Sequence, residues 1–326
     1  VRNETNNKSK GGTELLQERL YNGLVPRELL EQFQIVFSRE RELDESKFRI
    51  LYLHDLPSDP ESQNIFKDNG WDKYHKIVFV SSWQMQAYIN YYGIPWSMCE
   101  VIENSILPIP IAEETRVRDK IHICYTSTPH RGLDILFAAF DALSNKHDNI
   151  VLDVFSSFEL YGWGERDEQY RDLFDALDAH PKVNNHGTKS NDEIRQYLAN
   201  TGDIMAYQSK WPETSCLCLI EAMSAGLMCV HSNYGALADT ASGFTYMYQF
   251  DEDDNRHATK LFHILDGAIQ NIDSEDVKNR NRFMKMYADH RFNWNVKAYQ
   301  WAALLSHIIA NNPEKRLPGN FFTYNC

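Results

Sequence analysis

The sequence predicts an α/β protein with two parallel-sheet domains, and three observations support this. Short apolar runs alternate with helical segments along most of the chain, which is typical of parallel strands joined by helical crossovers. A segment with two prolines, 107–110, resists regular structure and divides the alternation into two parts. In the second part, residues 211–230 read as loop, helix, glycine and buried strand. That order is expected at a ligand crevice at the edge of an α/β sheet.

The first part of the chain is predicted to contain three strands and two helices. The predicted strands are 34–38, 49–54 and 76–81. The predicted helices are 12–24 and 84–92, and the second ends where Gly93 and Pro95 stop a helix. Only ten residues, nine of them polar, precede Gly11, where such a domain normally begins with a buried strand. That first strand is therefore either missing from the chain or supplied differently, and the N-terminal lobe is expected to be short.

The second part continues the alternation over a longer stretch. Its predicted strands and apolar runs are 122–125, 150–155, 183–187, 204–207 and 227–230. Its predicted helices are 133–143, 167–179, 191–199 and the segment that Gly226 ends. Asn191 is a candidate N-cap, because its side chain can accept a hydrogen bond from a free amide of the first turn.

Composition favours a cytoplasmic enzyme without a nucleic-acid partner. The net charge is −13, whereas phosphate backbones demand a basic surface. No apolar run approaches the roughly 20 residues of a membrane span, so no transmembrane segment is expected, and the chain opens with a polar run instead of a signal peptide. The six cysteines have no zinc-site spacing, which favours buried free thiols in a reducing compartment.

Two glutamates, Glu213 and Glu221, stand eight positions apart in the most informative segment of the chain. Backbone N–H groups near Thr214, Ser215 and Cys216 would lie free at a helix start, where the helix dipole favours a phosphate. Eight helical residues span about 12 Å. One carboxylate could therefore lie on each side of a diphosphate, and each could accept hydrogen bonds from sugar hydroxyls. The alternative is a capped amphipathic helix with one solvated glutamate, because this spacing arises easily by chance.

The residues between and after these glutamates resemble a known family. Pro212-Glu213-Thr214 followed by Glu221-Ala-Met-Ser-Ala-Gly226 resembles the E-x7-E motif of the retaining glycosyltransferases of family 4. Other segments that resemble the family, in the same order, are Gly11-Gly12-Thr13-Glu14, Leu53-His54-Asp55, Val80-Ser81-Ser82-Trp83, 101–106, 125–134 and Phe292-Asn293-Trp294. The resemblance covers residues 11 to 310. It implies the GT-B fold, in which two Rossmann-like domains face each other across a cleft.

The resemblance also implies how the two domains divide the work. Residues 1–110 would form the acceptor-side domain, completed by the C-terminal helix 293–326, and residues 111–292 would bind the nucleotide sugar. The implied activity is retaining transfer of a hexose from a UDP- or GDP-linked sugar to a glycan, lipid or protein acceptor. It would serve polysaccharide biosynthesis, in the cytoplasm or at a membrane surface, with no metal or other cofactor. The alternatives are a sugar-nucleotide epimerase of the same architecture and a catalytically degenerate protein that binds sugar or a partner.

Three residues receive catalytic roles from the resemblance. His54 would contact the donor sugar, Glu213 would hold the sugar hydroxyls, and Arg131 would pair with the diphosphate. The donor-binding set comprises Gly11, Gly12, Arg131, Gly187, Glu213, Thr214, Ser215, Cys216 and Glu221. Within that set the glycines would allow close approach of the backbone, and Glu221 would hold the ribose.

Two features depart from the family pattern or imitate another. Thr126 stands where the family usually has a second basic residue. Compensation of the diphosphate charge would then rest on Arg131, loop amides and helix dipoles, with Lys210 or Lys189 as a further candidate cation. The acidic run 251–254 looks like the D-x-D metal motif of a different glycosyltransferase fold. It shows no following apolar pattern, which predicts a solvated acidic loop instead of a metal site.

Overall fold

The computed structural model describes residues 11–40, 42–110, 118–312 and 317. The chain divides into two compact units. The first takes its described residues from Val1–Ser105 and Phe292–Cys326, and the second from Ile106–Arg291. The predicted start of the second domain at residue 111 and parts of the predicted C-terminal helix, 313–316 and 318–326, lie outside the described residues. Each unit contains one fully parallel sheet, which confirms the α/β class.

The first unit is built on a sheet of four strands in the order β1-β2-β3-β4. The strands are β1 (Phe33–Phe37), β2 (Phe48–Leu53), β3 (Lys76–Phe79) and β4 (Cys99–Val101). The helices that accompany them are α1 (Gly12–Asn22), α2 (Arg27–Leu30), α3 (Pro60–Phe66) and α4 (Ser82–Tyr92). Successive residues of β2 join two different buried clusters, Ile50 and Tyr52 in one and Leu51 and Leu53 in the other. The sheet is therefore covered by apolar packing on both faces.

The second unit contains a six-stranded sheet in the order β10-β9-β8-β5-β6-β7. Its strands are β5 (Ile121–Tyr125), β6 (Ile150–Val154), β7 (Val183–Asn185), β8 (Ile204–Tyr207), β9 (Met228–Ser232) and β10 (Tyr246–Tyr248). Its helices are α5 (Leu133–Ser144), α6 (Arg171–Ala179), α7 (Asn191–Asn200), α8 (Leu217–Ser224), α9 (Leu237–Ala241), α10 (Asp254–Asn271) and α11 (Glu275–Arg291).

The strand order of the second unit creates a topological switch point. The chain runs outward from β5 through β6 to β7 and then returns to β8 on the other side of β5. The loops that follow β5 and β8 consequently leave the sheet in opposite directions at its carboxyl edge. Such a point opens a crevice, where open α/β sheets bind ligands.

The helix α8 differs from the prediction in where it begins. It starts at Leu217, so Glu213 lies four positions before the helix and Glu221 lies inside it. The predicted loop at Glu213 and helix at Glu221 are confirmed, whereas the estimate that counted eight helical residues between the two glutamates is wrong. The reason is that Glu213 is held in an isolated parallel bridge with Gly235, which requires extended backbone and delays the first helical turn.

The cap of α7 also differs from the prediction. Ser190, not Asn191, is the N-cap, and its hydroxyl accepts a hydrogen bond from the Glu193 N–H at 3.3 Å. The Glu193 carboxylate accepts the Ser190 N–H in return at 2.9 Å, which completes a capping box. Asn191 is the first residue of the helix, and its side chain is left for another partner.

The acidic run 251–254 is a loop as far as Asp253, as predicted, but the predicted absence of an apolar pattern after it is wrong, because α10 begins at Asp254. Asp253 is the N-cap of α10 and accepts the Arg256 N–H. The apolar face of α10 includes the buried Leu261, Leu265 and Ile269. Because the first turns of α10 are polar, its helical pattern of apolar residues appears only several residues after the acidic run.

The predicted helix 167–179 begins as a 3-10 helix, Gly164–Tyr170, before α6.

The last helix, α12 (Trp294–Asn311), belongs to the first unit. Trp301 is buried in the apolar cluster of that unit, with its ring edge-on to Tyr52 at a centroid distance of 5.0 Å. The Lys297 ammonium contacts the Glu103 carboxylate at 2.9 Å. The first core is thus closed by residues from the far end of the chain. Within the described part of the chain, no helix is both long and apolar enough to span a membrane.

Candidate active site

The loops after β5 and β8 meet at the switch point of the second unit. The Gln208 side-chain amide donates to the Gly132 carbonyl at 2.5 Å, and the Lys210 N–H donates to the Arg131 carbonyl at 3.3 Å. The Cys218 thiol, in the first turn of α8, donates to the Thr126 carbonyl at 2.9 Å. The two loops and the start of α8 therefore form one continuous site.

The centre of this site is an ion pair between Arg131 and Glu213. The Arg131 Nη1 donates to Glu213 Oε1, and the Arg131 Nε donates to the His130 Nε2 at 3.1 Å. Burial acts to lower the pKa of Arg131, but the Glu213 carboxylate outweighs it and raises that pKa. Burial and the Arg131 charge lower the pKa of His130 to about 4. His130 is therefore neutral near pH 7, and its Nε2 can accept a hydrogen bond from the Arg131 guanidinium.

Glu213 is fixed through both its side chain and its backbone. Its Oε1 also accepts hydrogen bonds from the Tyr207 hydroxyl at 2.7 Å and the Ser209 hydroxyl at 3.2 Å. Its backbone pairs with Gly235, and its carbonyl accepts the Ala236 N–H at 2.6 Å. The residue is 6% exposed. A carboxylate held in this way presents its remaining acceptor sites in one orientation.

Glu221 lies on α8 and is held by α7. The Asn191 amide donates to both of its carboxylate oxygens, at 2.9 and 3.2 Å. The Arg195 Nη1 lies 3.7 Å from Oε1. Because Ser190 caps the helix, the Asn191 side chain is available for this contact. The structure therefore gives each of the two predicted glutamates a separate set of partners.

The N-terminus of α8 lies between the two glutamates in sequence. Cys216 is its N-cap, with extended dihedral angles, and its side chain makes no capping hydrogen bond. Its carbonyl accepts the Ile220 N–H at 3.1 Å. Anion binding by the amides near Thr214, Ser215 and Cys216 stays a prediction, and it is consistent with a helix end that no side chain of its N-cap covers.

Gly187 follows β7 beside a buried carboxylate hub. It has a left-handed φ of +62°, and a Cβ there would meet no atom within 4 Å, so ligand approach to this backbone is sterically open. The neighbouring His186 ring stacks on Phe155 at a centroid distance of 4.4 Å. Four side chains donate to the buried carboxylate of Asp153: His122, Asn184, His186 and Tyr197. Burial acts to raise the pKa of Asp153, but these hydrogen bonds outweigh it and lower that pKa.

His54, Gly11 and Gly12 lie in the first unit. His54 directly follows β2, and its backbone N–H donates to the Ser38 hydroxyl at 2.7 Å. Its ring lies 4.3 Å from the Tyr52 ring, and burial lowers its pKa to about 3. His54 is therefore neutral near pH 7, which suits a hydrogen-bonding role better than a cationic one. Gly11 is the N-cap of α1, and Gly12 is its first residue.

Lys210, one of the two lysines that could assist Arg131, has other partners. The Lys210 ammonium contacts Asp254 at 2.6 Å and Asp134 at 3.3 Å. Two carboxylates therefore already compensate its charge. Thr126 is buried, and its hydroxyl has no hydrogen-bond partner among the described residues. Of these two cations, it is Arg131 that contacts Glu213 at the centre of the site.

The acidic run after β10 has its own cationic partners. The Asp251 carboxylate accepts from Arg256 at 2.8 Å and from Lys260 at 2.9 Å. Over residues 11–40, 42–110, 118–312 and 317, no group of three or more His, Cys, Asp or Glu side chains is arranged to hold a metal ion.

The sequence interpretation missed Tyr207, Ser209 and Gly235. Tyr207 is the last residue of the apolar run 204–207, and a hydroxyl at the carboxyl end of a strand was the available signal. Ser209 follows two residues later in the same loop. Gly235 could not be found in this way, because its pairing with Glu213 joins two loops separated by a helix and a strand.

Comparison with known families supports a sugar-transfer protein. Residues 114–259 match the family model of the glycosyl transferases group 1. The matched stretch contains Arg131, Glu213 and Glu221 and covers less than half of the chain. A comparison with curated protein sequences finds no significant match. Assignment to family 4 and to its E-x7-E motif stays a prediction.

Solved structures show the same fold at low sequence identity. A glycosyltransferase from Rickettsia africae ESF-5 has a TM-score of 0.68 at 15% identity, over 95% of this chain and 85% of that chain. Anabaena HepE in complex with UDP and glucose has a TM-score of 0.63 at 20% identity, over 80% and 72%. Sucrose-phosphate synthase from Thermosynechococcus elongatus has a TM-score of 0.64 at 15% identity, over 81% and 69%. The protein therefore has the GT-B fold.

Proposed function

We propose that the protein is a retaining hexosyltransferase whose donor is a UDP- or GDP-linked sugar. The observation that carries this proposal is the buried Arg131–Glu213 pair at the switch point, inside the stretch that matches the group 1 glycosyl transferases. The structures of HepE with UDP and glucose and of a pneumococcal O-GlcNAc transferase with UDP and GlcNAc support a UDP-linked donor.

Each charged group of the site has a role in the proposed reaction. The glycosidic C–O bond of the donor breaks, and its electron pair leaves with the diphosphate. Arg131 and the amides at the start of α8 stabilise that leaving group, and Arg131 keeps its Nη2 for it, because no hydrogen bond from Nη2 is made within the described residues. Glu213 accepts hydrogen bonds from hydroxyls of the donor sugar, and Glu221 accepts them from the ribose. The acceptor oxygen bonds to the same face of the sugar, and its proton passes to the departing phosphate.

The proposed reaction uses no bound metal, because a guanidinium and a helix N-terminus supply the positive charge that the leaving diphosphate needs. Gly187 is proposed to lie near the nucleotide base, and His54, Gly11 and Gly12 are proposed to contact the donor. The first unit is proposed to select the acceptor, which would be a glycan, a lipid or a protein. We expect the reaction to occur in the cytoplasm, free or at a membrane surface, in polysaccharide biosynthesis.

The test is release of nucleotide from a panel of UDP- and GDP-hexoses, followed by analysis of the sugar product. Wild-type protein should release UDP or GDP from one donor and form a product with the donor's anomeric configuration. Glu213→Ala should lower that release at least about a hundredfold, as removal of a transition-state contact does, while the exposed Glu252→Ala should not change it. Full release by Glu213→Ala would contradict the role of Glu213. An isomerised donor would indicate an epimerase, and no turnover would indicate a binding protein.

A further inference from the structure

The strand that leads into the loop of Glu213 ends in one more side chain that bears on the proposed reaction. Tyr207 is the last residue of β8, paired with His231 of β9, and it is only 2% exposed. Its ring lies nearly parallel to that of Tyr125 at a centroid distance of 6.3 Å, and the Tyr125 hydroxyl donates to the Thr128 carbonyl. The Tyr207 ring is therefore held by strand pairing and by packing against Tyr125, and its hydroxyl donates to the Glu213 carboxylate at 2.7 Å.

The hydrogen bonds of Glu213 are divided unequally between its two oxygens. Arg131 Nη1, the Tyr207 hydroxyl and the Ser209 hydroxyl all donate to Oε1. A carboxylate oxygen has about two lone-pair sites, so three donors saturate it. Within the described part of the chain, no hydrogen bond reaches Oε2. The side chain is thus anchored through one oxygen and leaves the other as its acceptor.

We infer that Tyr207 is a positioning residue that anchors Oε1 of Glu213, so that Oε2 is the oxygen that accepts a hydrogen bond from a hydroxyl of the donor sugar. This inference rests on the proposed function. Tyrosine costs little side-chain entropy, and a buried tyrosine hydroxyl needs a partner, so this position fits a residue that must aim one hydrogen bond. A phenylalanine would fill the same space but would leave Glu213 free to rotate between its remaining donors.

The test compares Tyr207→Phe with wild type in nucleotide release from UDP-glucose, or from whichever sugar nucleotide the donor panel identifies. Tyr207→Phe should lower kcat about tenfold to hundredfold, because it removes a hydrogen bond to the charged Glu213 carboxylate. The Kd for UDP alone should stay within about twofold, because UDP lacks the sugar that Oε2 would contact. Ser209→Ala, which removes the longer hydrogen bond, should lower kcat by only about threefold.

Two controls separate positioning from a merely structural role. Tyr248→Phe removes a similar tyrosine hydroxyl outside this site, which forms a hydrogen bond of 2.8 Å with His257. This variant should leave kcat unchanged. In a Glu213→Ala background, Tyr207→Phe should cause no further loss, because residues that act through one group are not additive. A wild-type kcat in Tyr207→Phe, or a full additional loss in the double variant, would overturn the inference while the proposed function stands. Absence of donor turnover in the wild type would overturn both.

Discussion

At the scale of single residues, we expect the Arg131–Glu213 pair to contribute to folding as well as to the proposed function. The side chains are 18% and 7% exposed. Exposed ion pairs contribute little to stability, whereas removal of one partner from a buried pair leaves an uncompensated charge. In Arg131→Ala, the Glu213 carboxylate would retain only hydroxyl donors. We therefore expect Arg131→Ala to lower the free energy of unfolding by about 3 kcal/mol, measured by urea denaturation.

The chain provides a matched control for that variant. Arg27 and Glu31 form an i,i+4 ion pair with an N–O distance of 2.9 Å, but their side chains are 89% and 64% exposed. Arg27→Ala should change the free energy of unfolding by less than about 0.5 kcal/mol. Equal effects of the two substitutions would show that the Arg131 pair is not an important part of the folded core.

At the scale of elements, the loop between β9 and α9 positions the loop that carries Glu213. Gly235 has a φ of +66°, and a Cβ there would lie 2.4 Å from the Glu213 nitrogen and 2.5 Å from its carbonyl oxygen. Both are backbone atoms, which cannot yield as a flexible side chain can. Gly235→Ala should therefore displace Glu213, cost about 3 kcal/mol of stability and reduce nucleotide release at least about tenfold.

Gly243 allows the effect of backbone strain to be separated from the effect of a Cβ that collides with the Glu213 backbone. Its φ of +80° is also left-handed, but a Cβ there would meet nothing within 4 Å. Gly243→Ala should therefore cost only the backbone strain, about 1 kcal/mol, and should keep wild-type nucleotide release. Denaturation curves and release assays on both variants check this. A similar loss of release in both would argue against contact between Gly235 and Glu213 as the cause.

The elements also show what sequence can and cannot predict in this protein. Strands such as β2 and β8 were predictable because buried parallel strands are continuous apolar runs bounded by polar loops. The short edge strands β4 and β10 have mixed burial and give no such signal. The cap of α7 was misassigned by one residue, because Ser190 and Asn191 both suit an N-cap and only the return bond from Glu193 distinguishes them.

The candidate site was only partly predictable, for a related reason. Arg131, Glu213 and Glu221 lie in local segments whose sequence resembles a family, so their positions could be read along the chain. Their partners could not, because Tyr207 and Asn191 become partners through the crossing of loops and helices. Hydrogen-bonding partners that lie in different elements leave no periodic pattern in the sequence.

At the scale of the whole molecule, the first unit depends on both ends of the chain. Trp301 of α12 lies in the same apolar cluster as Ile35 of β1 and Ile50 of β2, although about 250 residues separate them in sequence. A core closed by such distant contacts forms only after the intervening unit has been synthesised. The entropic cost of closing a loop grows slowly with loop length. Packing around Trp301 can therefore offset the cost of closing even so long a loop.

Trp301→Ala should therefore weaken the first unit selectively. Loss of a buried tryptophan costs about 3–5 kcal/mol, and the cavity would open beside Tyr52. Hydrogen exchange followed by mass spectrometry should show faster exchange in β1 and β2. The matched variant Leu265→Ala removes a fully buried side chain of α10, and it should speed exchange in α10 and in α5, which packs against it. Unchanged exchange of β1 and β2 in Trp301→Ala would mean that α12 does not hold the first core together.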